Sequence, residues 1–157
     1  FFGGRVGRLI VFRILKMGLK EKALTKSIFV FHLSSGSCNN CDIEILDCLT
    51  PRFDVERFGI VLVGSIKHAD VLLCTGAANR QTVPRIKKLY DQMPKPGFVV
   101  ALGACGSSRG MFKDSYNTGA PLDELIPVNA YIPGCPPKPE AIIGGIVKLI
   151  KKVTSNQ

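Results

Sequence analysis

The strongest constraint on this chain is an alternation that runs through most of its length. Five β-rich apolar runs, at residues 27–33, 58–63, 69–76, 97–103 and 128–134, are separated by stretches with helical spacing. Runs that are apolar throughout, rather than at every second position, belong to strands covered on both faces. Between them, Asp42–Leu49, Gln81–Met93 and Glu140–Val153 read as helices. Val83, Ile86, Leu89, Tyr90 and Met93 share one face of the second, and Ile142, Ile143, Ile146, Val147 and Ile150 one face of the third. Strands alternating with helices predict an α/β fold, an open parallel sheet with helices on both faces. A length of 157 residues allows one domain with a real core, assigned to residues 27–157.

The cysteines gain meaning only on that frame. Cys38 and Cys41 fall in the turn after the first strand, Cys105 just past the fourth, and Cys135 just past the fifth. In an open parallel sheet these strand ends share one edge, where such folds build their sites. Cys48 and Cys74 fall inside a helix and a strand and read as small buried hydrophobes. Four thiolates at one edge suit zinc or an iron–sulfur cluster. Structural zinc sites usually bring two close pairs, whereas here one pair is joined by two single cysteines. Gly36, Gly103, Gly106 and Gly134 let backbone approach a bulky cluster, and Pro136 follows Cys135 directly. The pattern therefore favours a [4Fe–4S] cluster over zinc.

Other readings of the same residues compete. A lone CxxC beside a βαβ pattern fits a thiol–disulfide oxidoreductase, but leaves Cys105 and Cys135 without a purpose. "SSGS" before Cys38 could pass for a phosphate loop, yet two cysteines occupy the space a phosphate needs. Glu44, three residues after Cys41, reads first as a helix-start carboxylate and second as a proton-coupling group beside the site. His32 and His68 are isolated and receive no functional role, His32 reading as a satisfied core side chain, and Arg57 is expected to pair with an acid in "DVERF". No serine–histidine–aspartate set or carboxylate pair points to hydrolysis.

The net charge of +9 is unevenly placed. Residues 1–26 carry seven Lys and Arg against the single acid Glu21, which leaves +3 for the rest. This arm reads as a basic amphipathic helix suited to an anionic membrane surface, to a groove on a membrane-bound partner, or to packing on its own domain. The main domain offers no basic face, so nucleic acid is not an expected partner. No apolar run approaches the ~20 residues of a membrane span, and no export signal is read.

"GSCNNCDIEI", "TPRFDVERFG", "GSIKHADVLLCTG", "VALGACGSS" and "IPVNAYIPGCPPKPEAI" together resemble the small iron–sulfur subunit of energy-converting membrane-bound [NiFe] hydrogenases, homologous to the 20-kDa subunit of complex I. The resemblance covers about residues 28–150 and implies a flavodoxin-like domain. Carried over by motif, Cys38, Cys41, Cys105 and Cys135 are ligands of one [4Fe–4S] cluster. It implies an electron-transfer role between a ferredoxin-like iron–sulfur subunit and a hydrogenase-like large subunit. It also implies membrane ion-transport subunits as further partners, with the chain peripheral on the cytoplasmic face of the membrane. The CxxC spacing is hydrogenase-like and departs from the adjacent cysteines of complex I relatives, which weighs against a quinone enzyme. Asn40 stands where many hydrogenase relatives have glycine, and "GSSRG" replaces an expected Gly-Gly loop. These departures leave protons, sulfur and quinone open as terminal acceptors.

Overall fold

The computed structural model describes residues 27–155; the expected amphipathic helix at 1–26 lies outside the described residues. The strands are β1 (Ile28–Ser34), β2 (Ile60–Leu62), β3 (Val71–Thr75), β4 (Phe98–Leu102) and β5 (Ala130–Ile132). The helices are α1 (Asn40–Asp47), α2 (Val83–Gln92), α3 (Gly103–Ser108), α4 (Leu122–Leu125) and α5 (Pro139–Ser155). All strand pairs are parallel, in the order β2-β1-β3-β4-β5. This is the flavodoxin-like doubly wound arrangement, with its topological switch between β1 and β3.

Alternation of side chains divides the core in two. Val71 and Leu73 of β3 face α1 and α5, packing with Val30, Val100 and Leu102 against Ile45, Ile142, Ile146 and Leu149. Leu72 and Cys74 face the other way, with Val99 and Ala101, against Ile86, Met93, Leu122 and Ile126. Every residue of β3 is buried, which is why its sequence is apolar without alternation. Pro84 sits in the first turn of α2, where its missing N–H costs nothing.

Most differences from the sequence reading lie at element ends. The run 58–63 contributes only Ile60–Leu62, because Val55–Phe58 close into a 3-10 turn. Helix α2 starts at Val83 rather than Gln81, because Asn79 Oδ1 accepts from the N–H groups of Gln81 and Thr82 and builds a turn instead. Leu149, not Val147, is the deeply buried residue of that part of α5. The small-residue stretch "GACGSS" has no apolar period, yet it is helical.

Candidate metal centre

Three strands carry the four candidate cysteines to the C-terminal rim. Cys38 lies four residues past β1, and Cys41 in the first turn of α1. Cys105 lies in α3, which begins directly after β4, and Cys135 follows β5. Asn39, between the first pair, takes the left-handed conformation with φ 74°, which asparagine tolerates better than most residues. Ala104 N–H donates to the Gly134 carbonyl at 2.8 Å, so the turns carrying Cys105 and Cys135 are tied together. All four cysteines are free; Cys41 is buried, Cys105 half-buried, and Cys38 and Cys135 exposed.

The rim is crowded by backbone. A Cβ on Gly103 would lie 2.9 Å from Cys41 Sγ, and one on Gly110 would lie 3.2 Å from Cys105 Sγ. The thiols also act on one another. Burial first, then Cys38, Asp42, Cys105 and Cys135, pushes the Cys41 thiol up to about 11. Burial, then Cys135 and Cys38, raises Cys105. Among the described residues, no three Cys, His, Asp or Glu side chains meet closely enough to hold a single metal ion. The donor set is all sulfur.

The other cysteines stand apart. Cys74 is fully buried in β3, its thiol pushed up to about 12 by burial alone. Cys48 is buried in the core and donates to the Glu44 carbonyl at 3.3 Å. Burial, then Asp47 and Glu44, pushes its thiol up to about 11. Glu44 is half-buried on α1, and its charge bears on Cys48, whereas Asp42 bears on Cys41. Arg57 Nε lies 4.0 Å from Asp54 Oδ2 on the surface, as the local sequence implied. His68 is exposed at the end of a 3-10 turn.

His32 is a satisfied, part-buried side chain, as its place in β1 implies, but its partners are not legible in the sequence. His32 Nε2 lies 2.9 Å from Asp42 Oδ1 and 3.0 Å from Thr75 Oγ1, and Thr75 donates to the same Asp42 oxygen at 2.6 Å. The signal for the burial of His32 was there: it follows Ile28 and Val30 at alternate positions of one strand, on the face that α1 covers.

A doubly wound α/β domain whose strands lift four free thiols onto one rim defines the class: a flavodoxin-like domain with an all-sulfur donor set. The sequence profile of "NADH ubiquinone oxidoreductase, 20 Kd subunit" matches residues 38–149, and the chain belongs to that family. It is 52% identical over 132 residues to "Probable membrane-bound hydrogenase subunit mbhJ" of Pyrococcus furiosus, covering 84% of this chain and 79% of that protein. It is 44% identical to "Formate hydrogenlyase subunit 7" of Escherichia coli, covering 79% of this chain but 49% of that one. Among solved structures, it superposes with TM-score 0.78 and 37% identity on a chain of the archaeal membrane-bound sulfane sulfur reductase, covering 88% of this chain and 77% of that one.

Proposed function

We propose that this chain is the electron-transfer subunit of a membrane-bound, ion-pumping hydrogenase-type complex, with one [4Fe–4S] cluster held by Cys38, Cys41, Cys105 and Cys135. The observation that carries the reading is the rim itself: three strand ends deliver four mutually interacting thiols, with Gly103 and Gly110 leaving space against two of them. The donor set fits the group. A multi-iron cluster binds each thiolate to a separate iron, so its ligands need not meet at one point as they must around a single ion. When bound, such a cluster supplies one-electron transfer. The chain's part is to hold the sulfurs, exclude water from Cys41 and offer backbone close to the site.

The surface supports partners beside the rim. Met111 and Tyr116, in the segment that follows α3, are each 87% exposed, and Ile43 and Leu46 on α1 are also exposed. Exposed apolar residues of this size mark surfaces that other chains cover. In this reading they seat a hydrogenase-like large subunit and a ferredoxin-like iron–sulfur subunit. The basic residues 1–26 meet membrane ion-transport subunits or anionic headgroups on the cytoplasmic face. Among the described residues no helix is long and apolar enough to cross a membrane. Glu44, whose charge bears on Cys48, is a structural carboxylate of α1 first and a proton-coupling group second.

A thiol–disulfide oxidoreductase is disfavoured, because a Cys38–Cys41 dithiol would leave Cys105 and Cys135, carried to the same edge by β4 and β5, without a purpose. The likeness to the sulfane sulfur reductase supports a second reading, the same electron-transfer role feeding a sulfur-reducing large subunit. The test is Cys105→Ser and Cys135→Ser in the purified, anaerobic complex. Loss of iron from this chain and of its EPR signal on reduction is expected. Full iron content with either serine overturns the assignment. Two intact CxxC pairs in the large subunit would select the hydrogenase reading, and their absence the sulfur reductase.

A further inference from the structure

The triad of His32, Asp42 and Thr75 lies beside the cysteine rim and has no part in the function just described. Thr75 is fully buried, and the side chains of His32 and Asp42 are 23% and 14% exposed. The proton positions follow from the geometry. The Thr75 hydroxyl donates to Asp42 Oδ1, so its own oxygen is left as an acceptor. His32 Nε2 thus faces two acceptors, the Thr75 and Asp42 oxygens, and carries a hydrogen. Asp42 Oδ1 therefore receives two donors, one from β1 and one from β3, while the residue itself belongs to the first turn of α1. Three elements fix one carboxylate.

The carboxylate is placed beside the rim. Asp42 follows Cys41 directly in the first turn of α1, and its Oδ1 is held by Thr75, the last residue of β3. A negative charge fixed in the residue next to Cys41 opposes an electron added to a group held there, by Coulomb's law. Iron–sulfur potentials respond to net charge and hydrogen bonding around the sulfurs.

We propose that Asp42 is a fixed anion that lowers the reduction potential of the redox group held at Cys41, and that His32 and Thr75 are positioning residues that keep its carboxylate in place. The proposal rests on the cluster assignment above. A partly buried, doubly held carboxylate keeps its effect because it can neither swing into water nor be screened as a surface charge is.

The test is an EPR-monitored redox titration of the purified complex at one fixed pH, with iron per chain measured for each variant. Asp42→Asn is expected to keep its iron and to be reduced more readily. At a fixed ambient potential the oxidised-to-reduced ratio should fall about tenfold, an upward shift of about 59 mV for a one-electron couple. His32→Leu and Thr75→Val, which remove one donor each, should shift the potential in the same direction by less. His32→Gln and Thr75→Ser, which keep a donor, should restore the wild-type value. Wild-type potential in fully loaded Asp42→Asn overturns the proposal. Iron loss from that variant also overturns it, by making Asp42 an assembly residue. A fall in potential on His32→Gln would do the same, since imidazole charge rather than its hydrogen bond would be acting. A wild-type complex with no iron on this chain would instead remove the cluster assignment itself.

Discussion

Replacing Gly103 by alanine introduces a methyl group at the turn where β4 becomes α3. The backbone there has φ 82°, a left-handed conformation that costs an L side chain about 1–2 kcal/mol. The new Cβ would also lie 2.9 Å from Cys41 Sγ, closer than real Cβ atoms come to a neighbour. Overpacking of this kind typically costs about 1–3 kcal/mol. Together these amount to about 2–5 kcal/mol, a large part of the ~5–15 kcal/mol by which a domain is stable. For a chain of this size that corresponds to a fall in Tm of about 4–20 °C. Gly144 provides the opposite case. It lies within α5, and a Cβ there meets nothing within 4 Å. Gly144→Ala should therefore stabilise by about 0.5–1 kcal/mol through helix propensity. Pulse proteolysis across a urea series reads both without requiring concentrated protein. Iron per chain in the assembled complex should fall with Gly103→Ala and stay constant with Gly144→Ala. Equal midpoints for Gly103→Ala and wild type, or a destabilised Gly144→Ala, would refute the reasoning.

Further perturbations separate the remaining forces. Ile86 is 1% exposed, so Ile86→Ala should cost about 2–5 kcal/mol, seen as a lower urea midpoint. Arg57→Ala should change stability by less than about 1 kcal/mol, because its 4.0 Å pair with Asp54 is exposed; a larger loss would contradict the geometry. Cys74 holds its proton more tightly when folded, up to about 12 from an ordinary 9.0. Its contribution is complete below pH 9.0 and lost as pH rises from there through about 12. Cys74→Val should flatten part of the alkaline loss of stability, measured as urea unfolding between neutral pH and the alkaline limit. The flattening stays partial because Cys41 and Cys48 are also raised, each to about 11.

Periodicity carried the architecture. The interior strands β3 and β4 are covered on both faces, so their apolar runs stood out, and the crossovers between them forced parallel pairing. Edges were harder. A strand paired on one side only, such as β2 or β5, stops where the neighbouring turn takes over its hydrogen bonds, and no propensity marks that point. Helix α3 was invisible because glycine, alanine and serine have no period to display; it forms where Gly106 packs against the Cys74 carbonyl. The cysteine positions at the strand ends were readable because topology alone places them. The bonds among His32, Asp42 and Thr75 were not readable, because they join residues up to 43 positions apart through register and side-chain reach.

The two outermost strands, β2 and β5, have three residues each, against seven in β1 and five in both β3 and β4. A foreign polypeptide laid along either border would find only a few amides and carbonyls to engage, so accretion by added strands gains little there. Neighbouring chains must grip this domain through side chains on its loops and helices, and a mutation that reshapes those loops will be felt in assembly before it is felt in folding.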